Sequence, residues 1–173
     1  MSMAVRVIRP ALPEDMDALL KLRREYCQQI YKGFDLLCNL EDDQEYALKF
    51  QQWLKDPLVR VSLLFMDDTL IAFSAYRLPN PGPGEILDLQ CLPSVALQDV
   101  QALLESVMKE MTDLDANYVG VWVLRDNLRT RYHYQQFGFK PVGGIKDMAV
   151  GNVTLPFTRY VCCLKECPPD TLS

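Results

Sequence analysis

Asn127-Leu128-Arg129-Thr130-Arg131-Tyr132-His133-Tyr134-Gln135-Gln136-Phe137-Gly138-Phe139 is the stretch from which the rest of the chain can be read. Asn127 is of the side-chain type that caps a helix start. Gly138 stands where a left-handed residue ends one, so the segment reads as a helix from Asp126 to Phe137 followed by a strand from Phe139. Asn127 and Tyr134 are seven residues apart, about two turns at ~3.6 residues per turn, and both can face one groove. His133 points about 100° away from Tyr134 and reads as surface or sheet packing.

Working outward, Tyr118 to Leu124 is an apolar, buried-strand pattern. Before it, Val100, Leu103, Leu104, Val107, Met108 and Met111 recur at helical spacing, with Ser94 placed to cap that helix. Glu85 to Leu92 alternates as a strand, stopped by Pro93 and preceded by a loop of Pro79, Pro81, Gly82, Pro83 and Gly84. Val59 to Met66 and Thr69 to Tyr76 form a hairpin around Asp67-Asp68. Val5 to Arg9 opens the chain as a strand. Pro13-Glu14-Asp15 starts a helix carrying Met16, Leu19, Leu20, Arg23, Tyr26, Cys27 and Ile30, and a second helix runs from about Asp42 to Lys55. Arg159 to Leu164 closes the order as a last strand. Helices alternating with strands in this way must pack on both faces of one mixed sheet, an α/β fold of about seven strands and four helices. The expected domain spans residues 1–167, with 168–173 as a flexible tail.

The bulk composition narrows the function classes. A chain of 173 residues buries about 70% of its unfolded surface. It has no apolar run near the ~20 residues a membrane span requires, and its first ten residues lack the pattern of a secretory signal. A net charge of −5 with one histidine argues against a nucleic-acid surface, which needs clustered Lys and Arg. The six cysteines show no CxxC spacing for a metal, so no metal is expected; they read as reduced thiols of a cytoplasmic protein.

The order and spacing of Asn127, Tyr134 and Gly138-Phe139 resemble the signature of the GNAT superfamily of N-acetyltransferases. Leu89-Gln90-Cys91-Leu92-Pro93 is similar to that family's fourth strand, and Ile8-Arg9-Pro10-Ala11 through Glu14-Asp15 to its opening. The resemblance covers residues 5–164. It implies acetyl-CoA as cofactor, a small-molecule amine as acceptor and direct attack of the amine on the thioester. Homodimers are common in the superfamily, so a homodimer is the expected assembly. By the same resemblance the backbone of Leu89 and Cys91 bonds the pantetheine amides where the fourth and fifth strands splay; an intact ladder with Cys91 as a core side chain is the alternative.

Within that chemistry, Tyr134 suits a general acid, since a phenol with a pKa near ~10 keeps its proton at neutral pH and can hand it to a departing thiolate. Asn127 suits the coenzyme arm or, equally, a helix cap, and Tyr134 a core ring. Glu85 and Asp88 are the candidate bases, directly or through water; their odd separation along the strand sends them to opposite faces, so only one can face the groove. Tyr31 and Phe34 fall where an acceptor pocket is lined in such enzymes, and would hold an amine by cation–π contact or staple a loop.

One segment departs from the family pattern. Ser94-Val95-Ala96-Leu97-Gln98-Asp99-Val100-Gln101 has no glycine where paired glycines open the pyrophosphate cradle, and no Lys or Arg occurs between Glu85 and Lys109. Asp99 adds a negative charge near the same helix end. Either the helix N-terminus, aided by Arg129 or Arg131, still accepts the phosphates, or the fold serves as a ligand-binding or regulatory module.

Overall fold

The computed structural model describes residues 2–30, 42–150 and 153–165, the side chains of residues 29 and 30 excepted. Its elements are β1 (Arg6–Pro10), α1 (Met16–Ile30) entered through a short 3-10 turn, α2 (Asp43–Lys55), β2 (Val59–Met66), β3 (Thr69–Arg77), β4 (Gly84–Cys91), α3 (Leu97–Asp113), β5 (Tyr118–Leu124), α4 (Leu128–Phe137), β6 (Lys140–Val150) and β7 (Val153–Cys163). The seven strands form one mixed sheet in the order β1-β2-β3-β4-β5-β7-β6, and only the β4–β5 pair is parallel. The α/β architecture read from the sequence is present in full. β7 starts six residues earlier than the Arg159 boundary expected for it, because it pairs with β6 from Val153↔Val150 onward.

Two apolar layers sandwich the sheet. On one face Ile86, Leu89, Cys91, Val119, Val121, Val123 and Tyr160 pack with Leu103, Leu104, Val107 and Met111 of α3 and Tyr134 of α4. On the other, Leu63, Phe73 and Ala75 pack with Leu19 and Leu22 of α1 and with Tyr46, Phe50 and Trp53 of α2. The opening segment is fixed by a bidentate pair in which Arg9 donates to both carboxylate oxygens of Asp15 at 2.8 and 2.7 Å while the Leu12 N–H donates to the same group. The Arg9 hydrogen bond holds the Asp15 carboxyl below its ordinary range despite burial. The Asp67-Asp68 hairpin has both central residues at positive φ, 47° and 64°, the geometry of a type I′ turn.

Ser94 does not cap α3: its N-cap position is Ala96, and no side chain bonds the first-turn amides there. Cys91 and Cys162 are free thiols, whereas Cys163 is disulfide-bonded, which corrects the expectation of reduced cysteines at that position. The expected tail, residues 168–173, lies outside the described residues. No helix among the described residues is long and apolar enough to cross a membrane.

Gly138 closes α4 at φ 114°, with its amide bonded to the Gln135 carbonyl and the Phe139 amide to that of Tyr134. A Cβ there would meet nothing within 4 Å, so only backbone strain opposes a side chain. Gly138→Ala is expected to destabilise by about 1–2 kcal/mol, read as a lower urea midpoint at unchanged m-value; an unshifted midpoint would show that the turn relaxes freely.

Candidate functional site

The site begins where a hydrogen-bond ladder stops. β4 pairs with β5 only over Gly84–Ile86 against Val119–Val121. β4 nevertheless runs on to Cys91 beside β3, and β5 runs on to Leu124 beside β7. The two strands therefore part beyond Ile86, and the edge of β4 from Leu87 to Cys91 that faces β5 has no ladder partner among the described residues. Buried main-chain groups require partners, so an opening of this kind is a place for a ligand with amide donors and acceptors. A cavity of about 360 Å³ occupies the fork, lined by β4, β5 and residues of α1, α2 and α4.

A β-bulge decides what faces that cavity. Ala75 opposes Asp88 and Tyr76 opposes Ile86, so Leu87 is the extra residue on β4. The bulge cancels the alternation that would send Glu85 and Asp88 to opposite faces, and both line the cavity. This corrects the expectation that only one of them faces the groove. Asp88 Oδ2 accepts from the Tyr46 hydroxyl at 2.8 Å and from Gln90 Nε2 at 3.0 Å. The Asp88 carbonyl accepts from Ser74 Oγ at 3.1 Å. These bonds orient Gln90, since its Nε2 must point to the carboxylate, and they leave Gln90 Oε1 buried without a partner. An unpaired acceptor beside a carboxylate is complementary to an N–H donor that the described residues do not supply. Glu85 lies 3.7 Å from Arg159 of β7.

Helix α4 presents its residues from the other side of the fork. Tyr134 is 1% exposed, stacks edge-on against Phe139 at 5.1 Å between ring centroids, and lines the cavity. Its hydroxyl makes no hydrogen bond to a described residue. Burial, reinforced by the charge of Asp88, pushes the phenol well above its ordinary 10, so it keeps its proton throughout the neutral range. Asn127 is the N-cap: Oδ1 accepts from the Thr130 N–H at 3.1 Å, while Nδ2 donates to the Tyr26 hydroxyl at 2.7 Å. The cap reading of Asn127 is thus realised, and the same side chain also ties α4 to α1 at the cavity wall.

Arg129 donates to the Leu92 carbonyl at 2.9 Å, which pins the start of α4 to the end of β4. Arg131 turns toward β7, where its Nε donates to the Tyr160 hydroxyl at 2.9 Å and Nη1 to the Arg125 carbonyl at 2.8 Å. Cys91 is a core side chain whose thiol burial raises its pKa, against the opposing charge of Arg129. Leu89 packs its side chain in the same layer while its backbone lies on the parted edge. His133 is buried rather than on the surface, and its Nδ1 has no partner. Asp99, read as an obstacle at the α3 terminus, is ion-paired with Arg6, whose Nε donates to it at 3.0 Å. Tyr31 and Phe34 lie outside the described residues.

Several residues of the site were not singled out in the sequence reading. Tyr46 and Tyr26 were visible only as apolar members of helical stripes, and Gln90 and Ser74 carried no signal until the bulge and the strand register set them beside Asp88. Trp122 and Arg159 became neighbours only through the β5–β7 pairing.

No protein-family model matches the chain, and no curated protein matches it in sequence. Solved structures match it well. The PaiA N-acetyltransferase of Thermoplasma acidophilum, crystallised in complex with coenzyme A, is 18% identical and aligns with a TM-score of 0.73 over 92% of this chain and 99% of that one. A GCN5-related N-acetyltransferase of Rhodopseudomonas palustris gives 0.72 at 16% identity over 95% and 99%. An N-acetyltransferase of Staphylococcus aureus gives 0.70 at 16% over 93% and 99%. The protein has the fold these acetyltransferases share, the fold that the Asn127–Phe139 resemblance implied.

His133 gives the site a measurable pH signature. Burial, aided by the charge of Arg129, lowers its pKa below the ordinary 6.5, so near that value the unfolded chain binds the proton more readily than the folded one. Stability is therefore complete above 6.5 and falls as pH drops toward the folded value, with a slope of at most about 1.4 kcal/mol per pH unit. His133→Gln should flatten urea-derived stability between pH 7 and 5.5. As His133 is the single histidine of the chain, its imidazole proton resonance should titrate with a midpoint below 6.5; a midpoint at or above that value would contradict the buried placement.

Proposed function

We propose that the protein is an acetyl-CoA-dependent N-acyltransferase acting on a small primary amine by direct attack. The observation that carries this reading is the fork itself: a parted β4 edge, a carboxylate, an unpaired amide oxygen and a protonated phenol meet at one cavity. Acetyl-CoA would supply the acyl group as a thioester, with a thiolate as leaving group. The backbone of Leu87–Cys91, with Leu89 and Cys91 as the resemblance assigns them, would hold the pantetheine arm. At the α3 terminus the absence of a capping side chain leaves the amides of Leu97 and Gln98 open to an anion, whereas that of Asp99 bonds the Ala96 carbonyl, and Arg129 lies at the adjoining end of β4. The ion pair with Arg6 offsets the negative charge of Asp99 at that end. These features fit the group at a helix start with no glycine, and Arg131, committed to Tyr160, is further from such a role.

The chain's own residues then divide the proton work. Asp88, fixed by Tyr46, Gln90 and Ser74, accepts a proton from the incoming ammonium, and Gln90 Oε1 accepts a second N–H, which orients the amine lone pair. Glu85, on the same face, is the alternative base through water. Tyr134 holds its proton at Oη and delivers it to the leaving sulfur as the amide forms, and the second proton shed by the nitrogen restores the phenol, so that the net proton released is the one on Asp88. Asn127 positions α4, and with it Tyr134, against α1.

The glycine-free α3 entrance favours a second reading, a ligand-binding or regulatory module with a vestigial coenzyme site. The two part on melting temperature. Acetyl-CoA at about 100-fold over its Kd stabilises by about 2.7 kcal/mol, roughly 5–10 °C for a chain of this size. An unshifted melt at millimolar acetyl-CoA would support the module. Given binding, Tyr134→Phe should lower kcat by about 10²–10⁴ with little change in KM for acetyl-CoA, and unchanged turnover would remove the tyrosine from the proton path.

A further inference from the structure

The cavity has a second pole that the proton chemistry leaves unused. Trp122 of β5 lines it, and two cations lie over its indole: Arg159 with its guanidinium carbon 5.3 Å from the ring centroid, and Lys146 of β6 at 5.5 Å. Arg159 pairs across the sheet with Trp122, and Lys146 with Phe157, which also lines the cavity. Arg159 reaches over β5 because residue 120 is glycine. A Cβ at Gly120 would stand 2.1 Å from Arg159 Nη2 and 2.5 Å from its guanidinium carbon. The guanidinium therefore lies close over the Gly120 backbone of β5, near both the Trp122 ring and Glu85.

The charge count at this pole is two cations to one carboxylate. Glu85 is 3.7 Å from Arg159, a separation that leaves the guanidinium's hydrogen-bonding directions largely unspent. Lys146 is exposed and has no carboxylate partner among the described residues. At the other pole Asp88 carries the opposite charge with the unpaired Gln90 oxygen beside it, in a wall that also holds Glu45 and the cations Arg23 and Lys49 stacked on Tyr46. Along β4 the two poles are three residues apart, roughly 7–10 Å at the rise of a strand.

We infer that Trp122, Arg159 and Lys146 form an anion-recognising subsite, and that the acceptor is an amine carrying a carboxylate or phosphate several bonds from its nitrogen, rather than a polyamine or a simple alkylamine. This rests on the acyltransfer reading for the role of the amine, but the subsite itself can be tested without turnover. An anionic group would lie against the guanidinium edge and the Lys146 ammonium while the indole covers its methylene chain. The amine would then fall beside Asp88 and Gln90.

The test follows the indole N–H resonance of Trp122, assigned by its loss in Trp122→Phe, as ε-aminocaproate, its primary amide and cadaverine are titrated in turn. All three carry an amine on a chain of similar length, and only the first carries an anion. The carboxylate compound should shift the resonance at about tenfold lower concentration than its amide, with cadaverine weakest. Arg159→Gln should erase that preference; Lys146→Gln, at an exposed position, should reduce it. Equal responses to the three compounds, a preference for cadaverine, or no response to any of them would overturn the subsite. The same amines, offered with acetyl-CoA, separate the two proposals. A carboxylate preference in binding without any acetyl transfer sinks the acyltransferase reading and leaves the subsite, whereas transfer with no such preference does the reverse.

Discussion

The structure depends on the early end of the β4–β5 ladder. β5 is committed to β7 over all seven of its residues, and β4 to β3 up to Cys91. Each strand can diverge from the other while keeping one full ladder. The bulge at Leu87 supplies the divergence, since an extra residue bends and twists the strand that carries it. It also rotates Asp88 and Gln90 onto the face that already holds Glu85. One irregularity thus opens the sheet and arms the opening with polar groups, which a regular strand of the same composition would have placed on both sides.

The two faces of the fork differ in dielectric character. On the α3/α4 side Tyr134, Cys91 and His133 sit in apolar packing, and burial moves each toward its neutral form. On the α1/α2 side the charged groups are held by hydrogen bonds and ring contacts: Asp88 by Tyr46 and Gln90, and Arg23 over the Tyr46 ring at 4.6 Å. A neutral phenol and a charged carboxylate are therefore kept on opposite sides of a single cleft, a division that environment alone can enforce on side chains of ordinary chemistry.

Most of the fold was legible because it is written in periodicity. The stripes of α3 and α4, the alternation of β4, the Asp67-Asp68 turn and Gly138 each name their element locally. The site was less so. Tyr134 and Asn127 were readable from spacing, and the pairing of Glu85 with Asp88 was misread because a bulge leaves no mark in a single strand's sequence; it exists only in the register with β3. Gln90, Tyr46 and Arg159 became relevant through contacts across 42 to 74 positions of sequence, which no local pattern encodes. The fold itself persists at 16–18% identity to its structural neighbours, as expected when pattern and packing, not particular residues, specify architecture.

The cap at Asn127 shows why a structural role need not exclude a functional one. Its Oδ1 accepts one bond, from Thr130, and its Nδ2 donates one, to Tyr26. A carboxamide has two lone pairs and two N–H groups, so each end retains one capacity at the cavity wall. The cap fixes the rotamer and, because a backbone N–H only donates, which end is oxygen; the Tyr26 bond holds the nitrogen end, and the remaining donor and acceptor are thereby held in known directions. A free asparagine would lose entropy on binding an amide-bearing arm; here the ordering is already complete in the folded chain.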